Sequence, residues 1–167
     1  MKKSILLIVV IILVVIQFIK PEKNISNKAQ PNNISSVYTV PEDIKTILEK
    51  SCNDCHSNNT VYPWYASIQP VAWWLNDHIE EGKRELNFDE FATYRIARQY
   101  KKLEEVQKQV KEGEMPLTSY TFIHTNSKLS EQQKQALINW AETVRTTIKS
   151  KYPADSLVLP KRPPKTE

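Results

Sequence analysis

Residues 52–56 read Cys52-Asn53-Asp54-Cys55-His56 and hold both cysteines of the chain and one of its three histidines. Two thiols separated by two residues can each add to a vinyl group of one haem, and a histidine directly after them is placed to bind the iron. A disulfide between cysteines three positions apart cannot link distant segments of the chain, so a disulfide framework is excluded. The stretch predicts one covalently attached haem c on Cys52 and Cys55, with His56 as the proximal iron ligand.

Two other kinds of site use the same residue types. A thioredoxin-like redox pair needs a strand before the motif and a βαβ framework, whereas this sequence offers helical patterns. A zinc site would have to combine Cys52 and Cys55 with two of the three histidines, but the chain has no second closely spaced ligand pair. Both alternatives are therefore less favoured than haem.

The composition favours an all-α fold. The 167 residues are 40% hydrophobic and 25% charged and include only two glycines, which is too few for a turn-rich β-sandwich. The net charge of +4 comes from dispersed lysines rather than from a compact basic run, so we predict no nucleic-acid partner.

An apolar run from Ile5 to Ile16 follows Lys2 and Lys3. This pattern is typical of an export signal, and the absence of a small-residue cleavage site favours an uncleaved signal anchor or transmembrane segment at residues 1–20. Haem c is attached on the outer side of the bacterial inner membrane, which predicts a domain in the periplasm anchored to the inner membrane. Residues 21–38 are rich in Asn, Ser, Lys and Pro and predict a flexible linker.

Residues 39–150 are predicted to form the haem c-binding domain, and residues 151–167 a surface or disordered tail. Capping patterns and stop residues divide the domain into four helices. The predicted helices start near Thr39, Pro70, Asn87 and Ser130, and the second and third end at Gly82 and Gly113. The stripe of the last helix is predicted to lie in the core and consists of Leu137, Trp140, Ala141, Val144 and Ile148.

The sixth iron position has few candidate ligands. Met115 is the only methionine after the initiator and lies in a loop after a helix stop, which favours it as the distal ligand, with a gap-filling core methionine as the alternative. His78 is the second candidate, although a histidine on an apolar helix face more often bonds to backbone. His124 is the third candidate ligand, and the last possibility is a sixth position without a ligand from the protein.

Two further expectations concern the surroundings of the iron. Nδ1 of His56 needs an acceptor that fixes the ring, and we expect a backbone carbonyl from the segment between Val61 and Pro70. Aromatic residues concentrate shortly after the motif, so Trp64 and Trp74 are predicted pocket walls, with ordinary core packing as the alternative.

The combined motifs of residues 40–148 resemble the exported haem-binding domain family of monohaem proteins, which are similar to cytochromes c. The matching stretches are Cys52 to His56, Tyr62-Pro63-Trp64-Tyr65, Pro70 to Leu75, His78 with Glu81-Gly82-Lys83, Leu86-Asn87-Phe88, Gly113-Glu114-Met115-Pro116, His124, and Leu129-Ser130 to Trp140. The resemblance implies a cytochrome-c-like helical domain behind the N-terminal membrane anchor helix, with thioethers at Cys52 and Cys55 and iron ligation by His56. Cytochromes c also carry a Met-Pro pair before the terminal helix, which supports Met115.

These features together predict a periplasmic, membrane-anchored c-type monohaem protein that transfers single electrons and is not an enzyme. The sequence does not identify its redox partner protein. The alternative is a haem-based sensor or a small peroxidase with a weak or open sixth iron site. A third interpretation is a structural or assembly role, in which haem only stabilises the fold.

Overall fold

The computed structural model describes residues 2–160, and this part of the chain contains helices and no strand. Its α-helices are α1 (Lys2–Ile16), α2 (Glu42–Ser51), α3 (Asn53–His56), α4 (Val71–Glu85), α5 (Ile96–Glu112), α6 (Thr118–Ile123) and α7 (Glu131–Lys151). Short 3₁₀ helices cover Ile34–Ser36, Trp64–Ser67, Phe88–Thr93, Thr125–Ser127 and Ala154–Leu157. The predicted all-α class is confirmed.

The core lies between α2, α5 and α7. Each of these helices is amphipathic and buries one apolar stripe against the others. The predicted stripe of α7 is fully buried, and it meets Leu103 and Val110 of α5 and Ile44, Ile47 and Leu48 of α2. The stripe of α2 continues into Cys52, so core packing fixes where the motif begins.

Local signals predict some helix ends well and others poorly. Ser130 and Gln133 form the predicted capping box, in which the Ser130 hydroxyl accepts from Gln133 N and the Gln133 side chain accepts from Ser130 N. The capping box predicted at Thr39 is wrong, because the residue before α2 is Pro41, which has no side-chain acceptor. Gly113 ends α5 as predicted, with a left-handed φ of 76°.

The third predicted helix is interrupted. Asn87 does cap a helix, since its side chain accepts from Asp89 N, but this helix is the short 3₁₀ segment Phe88–Thr93. The chain then runs extended at Tyr94 before α5 begins at Ile96. The apolar residues keep a helical spacing across this break, so their spacing alone cannot predict it.

The predicted end of the second helix at Gly82 is wrong, because α4 continues to Glu85. Gly82 instead allows α4 to pack closely against α3. A Cβ atom at Gly82 would lie 2.6 Å from the backbone oxygen of Cys55, which is closer than such contacts allow. Only glycine lets α4 approach α3 this closely.

The segment predicted as a flexible linker packs against the domain. Ile34 is 2% exposed and belongs to the core cluster, and Asn24 is 8% exposed. The Asn24 amide donates to Ser57 O and to Thr60 Oγ1, and Asn33 Nδ2 donates to the carboxylate of Asp89. Composition does not reveal this packing, because the polar residues are hydrogen-bonded to the domain and only two separated residues, Ile34 and Tyr38, are in the core cluster or packed against it.

α1 lies in the segment predicted to be a membrane anchor, and its side chains from Lys2 to Val15 are exposed. Among residues 2–160, no helix has both the length and the apolar character needed to cross a membrane. The predicted transmembrane helix is therefore not supported.

The C-terminal tail is partly packed. Leu157, in the 3₁₀ helix Ala154–Leu157, is 9% exposed and belongs to the core cluster, and this helix packs on α5. The residues that follow it, Val158 and Leu159, are exposed. Residues 161–167, also predicted as tail, lie outside the described residues.

Candidate functional site

The motif Cys52 to His56 forms one tight turn at the end of α2. Cys52 N donates to Leu48 O as the last bond of α2, and Cys52 O then accepts from the backbone N–H groups of Cys55 and His56. Cys52 thus ends α2 and begins α3. This turn brings the two thiols and the imidazole of His56 to the wall of one cavity of about 340 Å³.

Both cysteines are free thiols in an apolar setting. Burial raises the pKa of Cys52 to about 12, and burial with the nearby Asp54 carboxylate raises the pKa of Cys55 to about 11. A thioredoxin-like pair works through a thiol whose pKa is lowered, and residues 2–160 contain no strand that could frame one. The geometry and the pKa direction both disfavour a dithiol redox site.

His56 has its ring orientation fixed by two carbonyl oxygens near the end of α4. Nδ1 lies 2.8 Å from Leu86 O and 3.1 Å from Gly82 O. A carbonyl only accepts, so Nδ1 carries the proton and Nε2 keeps its lone pair. The predicted acceptor in the segment from Val61 to Pro70 is therefore wrong. Since Leu86 follows the helix, its carbonyl has no partner within α4 and is available to this ring.

Neutral imidazole is the form that binds iron, and the site favours it. Burial is the main cause of a lowered His56 pKa, and the positive charge of Lys102 acts in the same direction. The carbonyl bonds oppose this shift without cancelling it. His56 can therefore present an unprotonated Nε2 at neutral pH.

A second cavity of about 290 Å³ adjoins the first. The residues that line both cavities are Ser51, Cys52, His56, Glu85, Met115 and Pro116. The second cavity extends into the core, where Leu48, Leu86, Phe88, Val106, Leu129 and Leu137 line it. Ligand sites usually measure about 300–1,000 Å³ and are mainly apolar, so the joined cavities suit a large, flat, mostly apolar cofactor.

Met115 faces this site from the loop between α5 and α6. Its backbone N donates to Gln109 O at 3.2 Å, which holds the loop against the end of α5. The two ring nitrogens of His56 point in roughly opposite directions, so Nε2 points away from the α4 carbonyls that hold Nδ1. Met115 comes from an element other than α4 and lines both cavities together with His56, so its thioether is a candidate second ligand for a metal held by His56.

His78 also lines the 340 Å³ cavity, but it lies on α4 itself. Its Nδ1 is 2.8 Å from Trp74 O, and the rings of the two residues are 4.2 Å apart. His78 is thus on the same helix as the Gly82 carbonyl that holds His56. Met115 and His78 thus both line the cavity that His56 lines, and the preference for Met115 stays a prediction from the sequence.

His124 lines neither of the two cavities. Its Nε2 is 2.6 Å from the Tyr65 hydroxyl, and its ring stacks on Tyr120 with centroids 4.4 Å apart. Tyr120 does line the 340 Å³ cavity and donates to Asp54 Oδ2 at 2.7 Å. Sequence reasoning missed Tyr120, because no periodicity marks the short helix α6 and nothing in the motif signals that Asp54 is an acceptor.

The predicted pocket walls Trp64 and Trp74 line neither cavity. Trp64 is 79% exposed and Trp74 is 45% exposed. The aromatic neighbour that the structure places beside the motif is Phe88, whose ring meets the His56 imidazole edge-on at 6.4 Å. The two cavities therefore give no support to the predicted role of Trp64 and Trp74, which stays a prediction.

The site does not suit zinc. Within residues 2–160 there is no group of three or more His, Cys, Asp or Glu side chains arranged to hold a metal ion. The sulfur and nitrogen donors that line the joined cavities are instead the thiols of Cys52 and Cys55, the imidazoles of His56 and His78, and the thioether of Met115. This set with mainly apolar walls fits a haem.

Comparison with known families gives the same indication. A family model for a haem-binding domain matches residues 11–143, from within α1 to within α7. No curated protein and no solved structure matches the chain. The match covers most of the sequence, including the motif, both cavities and the packed segment 21–38, and it confirms the resemblance inferred from the sequence. The protein therefore belongs to the haem-binding domain family and binds haem.

Proposed function

We propose that this protein is a c-type monohaem electron carrier. Cys52 and Cys55 would hold the haem through thioether bonds, and His56 and Met115 would be the ligands of its iron. The observation that carries the proposal is the joined pair of cavities, both of which are lined by Cys52, His56 and Met115. A haem held in this way supplies one-electron exchange between ferrous and ferric iron.

The residues of this chain have separate tasks in that function. The carbonyl oxygens of Leu86 and Gly82 hold the proton of His56 on Nδ1. Nε2 therefore keeps a free lone pair for iron. A Met115 thioether stabilises the ferrous state and raises the reduction potential. The apolar core residues exclude water from one side of the site, which further favours the state of lower charge.

The proposal includes a location. Covalent haem attachment takes place on the outer side of the bacterial inner membrane, and the apolar N-terminal segment is typical of export. The domain therefore works in the periplasm, and residues 1–20 attach it to the inner membrane. The alternative is a haem-based sensor or small peroxidase with an open sixth iron site, and it requires that Met115 does not bind the iron.

Extraction with acidified acetone tests the covalent attachment. The purified parent protein should keep its haem in the protein pellet, whereas a Cys52→Ala, Cys55→Ala variant should lose it. Met115→Ala is the matched control, because it removes an iron ligand and leaves both thioethers in place, so its haem should stay in the pellet. Release of the haem from the parent protein would refute covalent attachment.

A further inference from the structure

Large apolar side chains are exposed together around the start of α4. The residues Trp64, Ile68, Val71, Trp73 and Trp74, here called the tryptophan face, are 79%, 44%, 38%, 37% and 45% exposed. They are connected locally, since the 3₁₀ helix Trp64–Ser67 packs on α4 and Ala72 N donates to Ile68 O. Single exposed apolar residues are common, but a cluster with three tryptophans marks an interaction surface.

The residues directly after α1 are hydrogen-bonded to Trp73 of this face and to Gln69 beside it. Gln69 N donates to Gln17 Oε1 at 2.9 Å, and Gln69 Nε2 donates to Ile19 O at 2.7 Å. The indole N–H of Trp73 donates to the same Ile19 oxygen at 2.9 Å. Gln69 is only 3% exposed, so this junction is built into the domain. The direction of α1 and the position of the tryptophan face are therefore coupled.

The chemistry of α1 indicates what covers the face. From Ile5 to Ile16 every residue is apolar, and none of these side chains is buried against the domain. A helix that is apolar on all sides needs an apolar surrounding, and at this position the protein does not provide one. Phe18 next to it is 83% exposed, and the exposed cations Lys20 and Lys23 follow.

We propose that the tryptophan face lies on the surface of a lipid bilayer that α1 enters. Tryptophan is the side chain most typical of the membrane–water interface, because its ring is apolar and its N–H is polar. Lys20 and Lys23 then meet anionic headgroups. This inference rests on the proposed membrane attachment and deepens it, because the domain is held in one orientation instead of being tethered loosely.

The orientation places the haem site close to the membrane. Trp73 and Gly82 belong to one continuous helix, so the carbonyl that holds His56 is at most about 14 Å along α4 from the face. A partner at the membrane surface is then within reach of the haem cavities.

Hydroxyl-radical labelling of the full haem-loaded chain in vesicles of phosphatidylcholine and phosphatidylglycerol tests the proposal. Labelling of each residue is normalised to that of the unfolded chain. Trp64, Trp73 and Trp74 should be protected several-fold, to the level of Trp140, which is 6% exposed in the core. Tyr152, which is 44% exposed at the end of α7, should stay freely labelled. Labelling of the three tryptophans at the rate of Tyr152 would overturn the proposal.

Two matched variants test whether the protection comes from the face itself. Ile68→Asp places a charge on the face and should restore labelling of Trp64, whereas Val158→Asp, at a site 69% exposed beside α5, should not. Adding more lipid lowers the density of the protein on the vesicles. Protection that is lost under this dilution would show that a second copy of the chain covers the tryptophan face and would refute contact with the bilayer.

Flotation of the vesicles reports attachment by itself. A chain that floats with unprotected tryptophans refutes only the oriented face. A chain that does not float refutes both the face and the membrane attachment, and its absorption spectrum shows independently whether haem is bound.

Discussion

Gly82 is the residue on which the arrangement of the haem site depends most closely. Its missing side chain lets α4 touch the backbone of Cys55, and its carbonyl accepts from His56 Nδ1. The same residue thus belongs to the packing of two helices and to the orientation of the iron ligand.

Gly82→Ala should destabilise the protein by about 1–3 kcal/mol, because the new methyl group forces α3 and α4 apart. Glu80→Ala, at an exposed position of the same helix, is the control and should change stability by less than about 0.5 kcal/mol. Urea unfolding followed by circular dichroism measures both. Equal midpoints for the two variants would show that the close contact at Cys55 has no energetic role.

At the scale of single residues, local patterns predict the candidate haem ligands but not the residues that hold them in place. Cys52, Cys55 and His56 follow from a local motif, and Met115 from its position after a helix stop. Leu86, Gly82, Tyr120 and Phe88 act through contacts between segments about 26 to 66 residues apart, which no local pattern encodes. The prediction for Trp64 and Trp74 is not supported, because these residues are near the motif in sequence but do not line the two cavities.

Among the elements, the segment from Asn24 to Tyr38 shows most clearly how composition can mislead. Its polar residues are typical of a linker, yet Asn24, Asn33 and Tyr38 bond to side chains or backbone of the domain. Tyr38 donates to Gln99 Oε1 at 2.6 Å, and burial raises its pKa to about 12. The segment therefore behaves as part of the folded unit, in keeping with a family match that begins at residue 11.

Ile34→Ala should lower the free energy of unfolding by about 2–5 kcal/mol, because it empties a core position. Ile25→Ala is the matched control in the same segment, since Ile25 is 56% exposed, and should have little effect. Chemical denaturation of both variants gives the comparison. If Ile34→Ala were as stable as Ile25→Ala, the segment would be a linker after all.

Long helices with clear caps, such as α7, are predictable because all their signals are local. The short helices α3 and α6 are not, because four and six residues are too few to show a period. The interruption before α5 escapes prediction for a related reason, since the chain keeps the same apolar spacing through the extended residue Tyr94.

Over the whole molecule, the fold places three features along α4. Its start carries the tryptophan face, its middle carries His78 at the cavity, and its end supplies the carbonyls that hold His56. The core of α2, α5 and α7 positions the end of α5, and the loop that follows carries Met115 to the cavities. The overall helical class could be predicted from composition, but this division along one helix could not.

The central claim is that one haem is held between His56 and Met115, and the absorption spectrum of the ferric protein tests it most directly. The parent protein should be low-spin and show the weak far-red band of methionine sulfur on ferric iron. That band should disappear in Met115→Ala and persist in His78→Ala, the control at the other candidate ligand. A high-spin parent, or a low-spin parent whose spectrum changes in His78→Ala and not in Met115→Ala, would contradict the account.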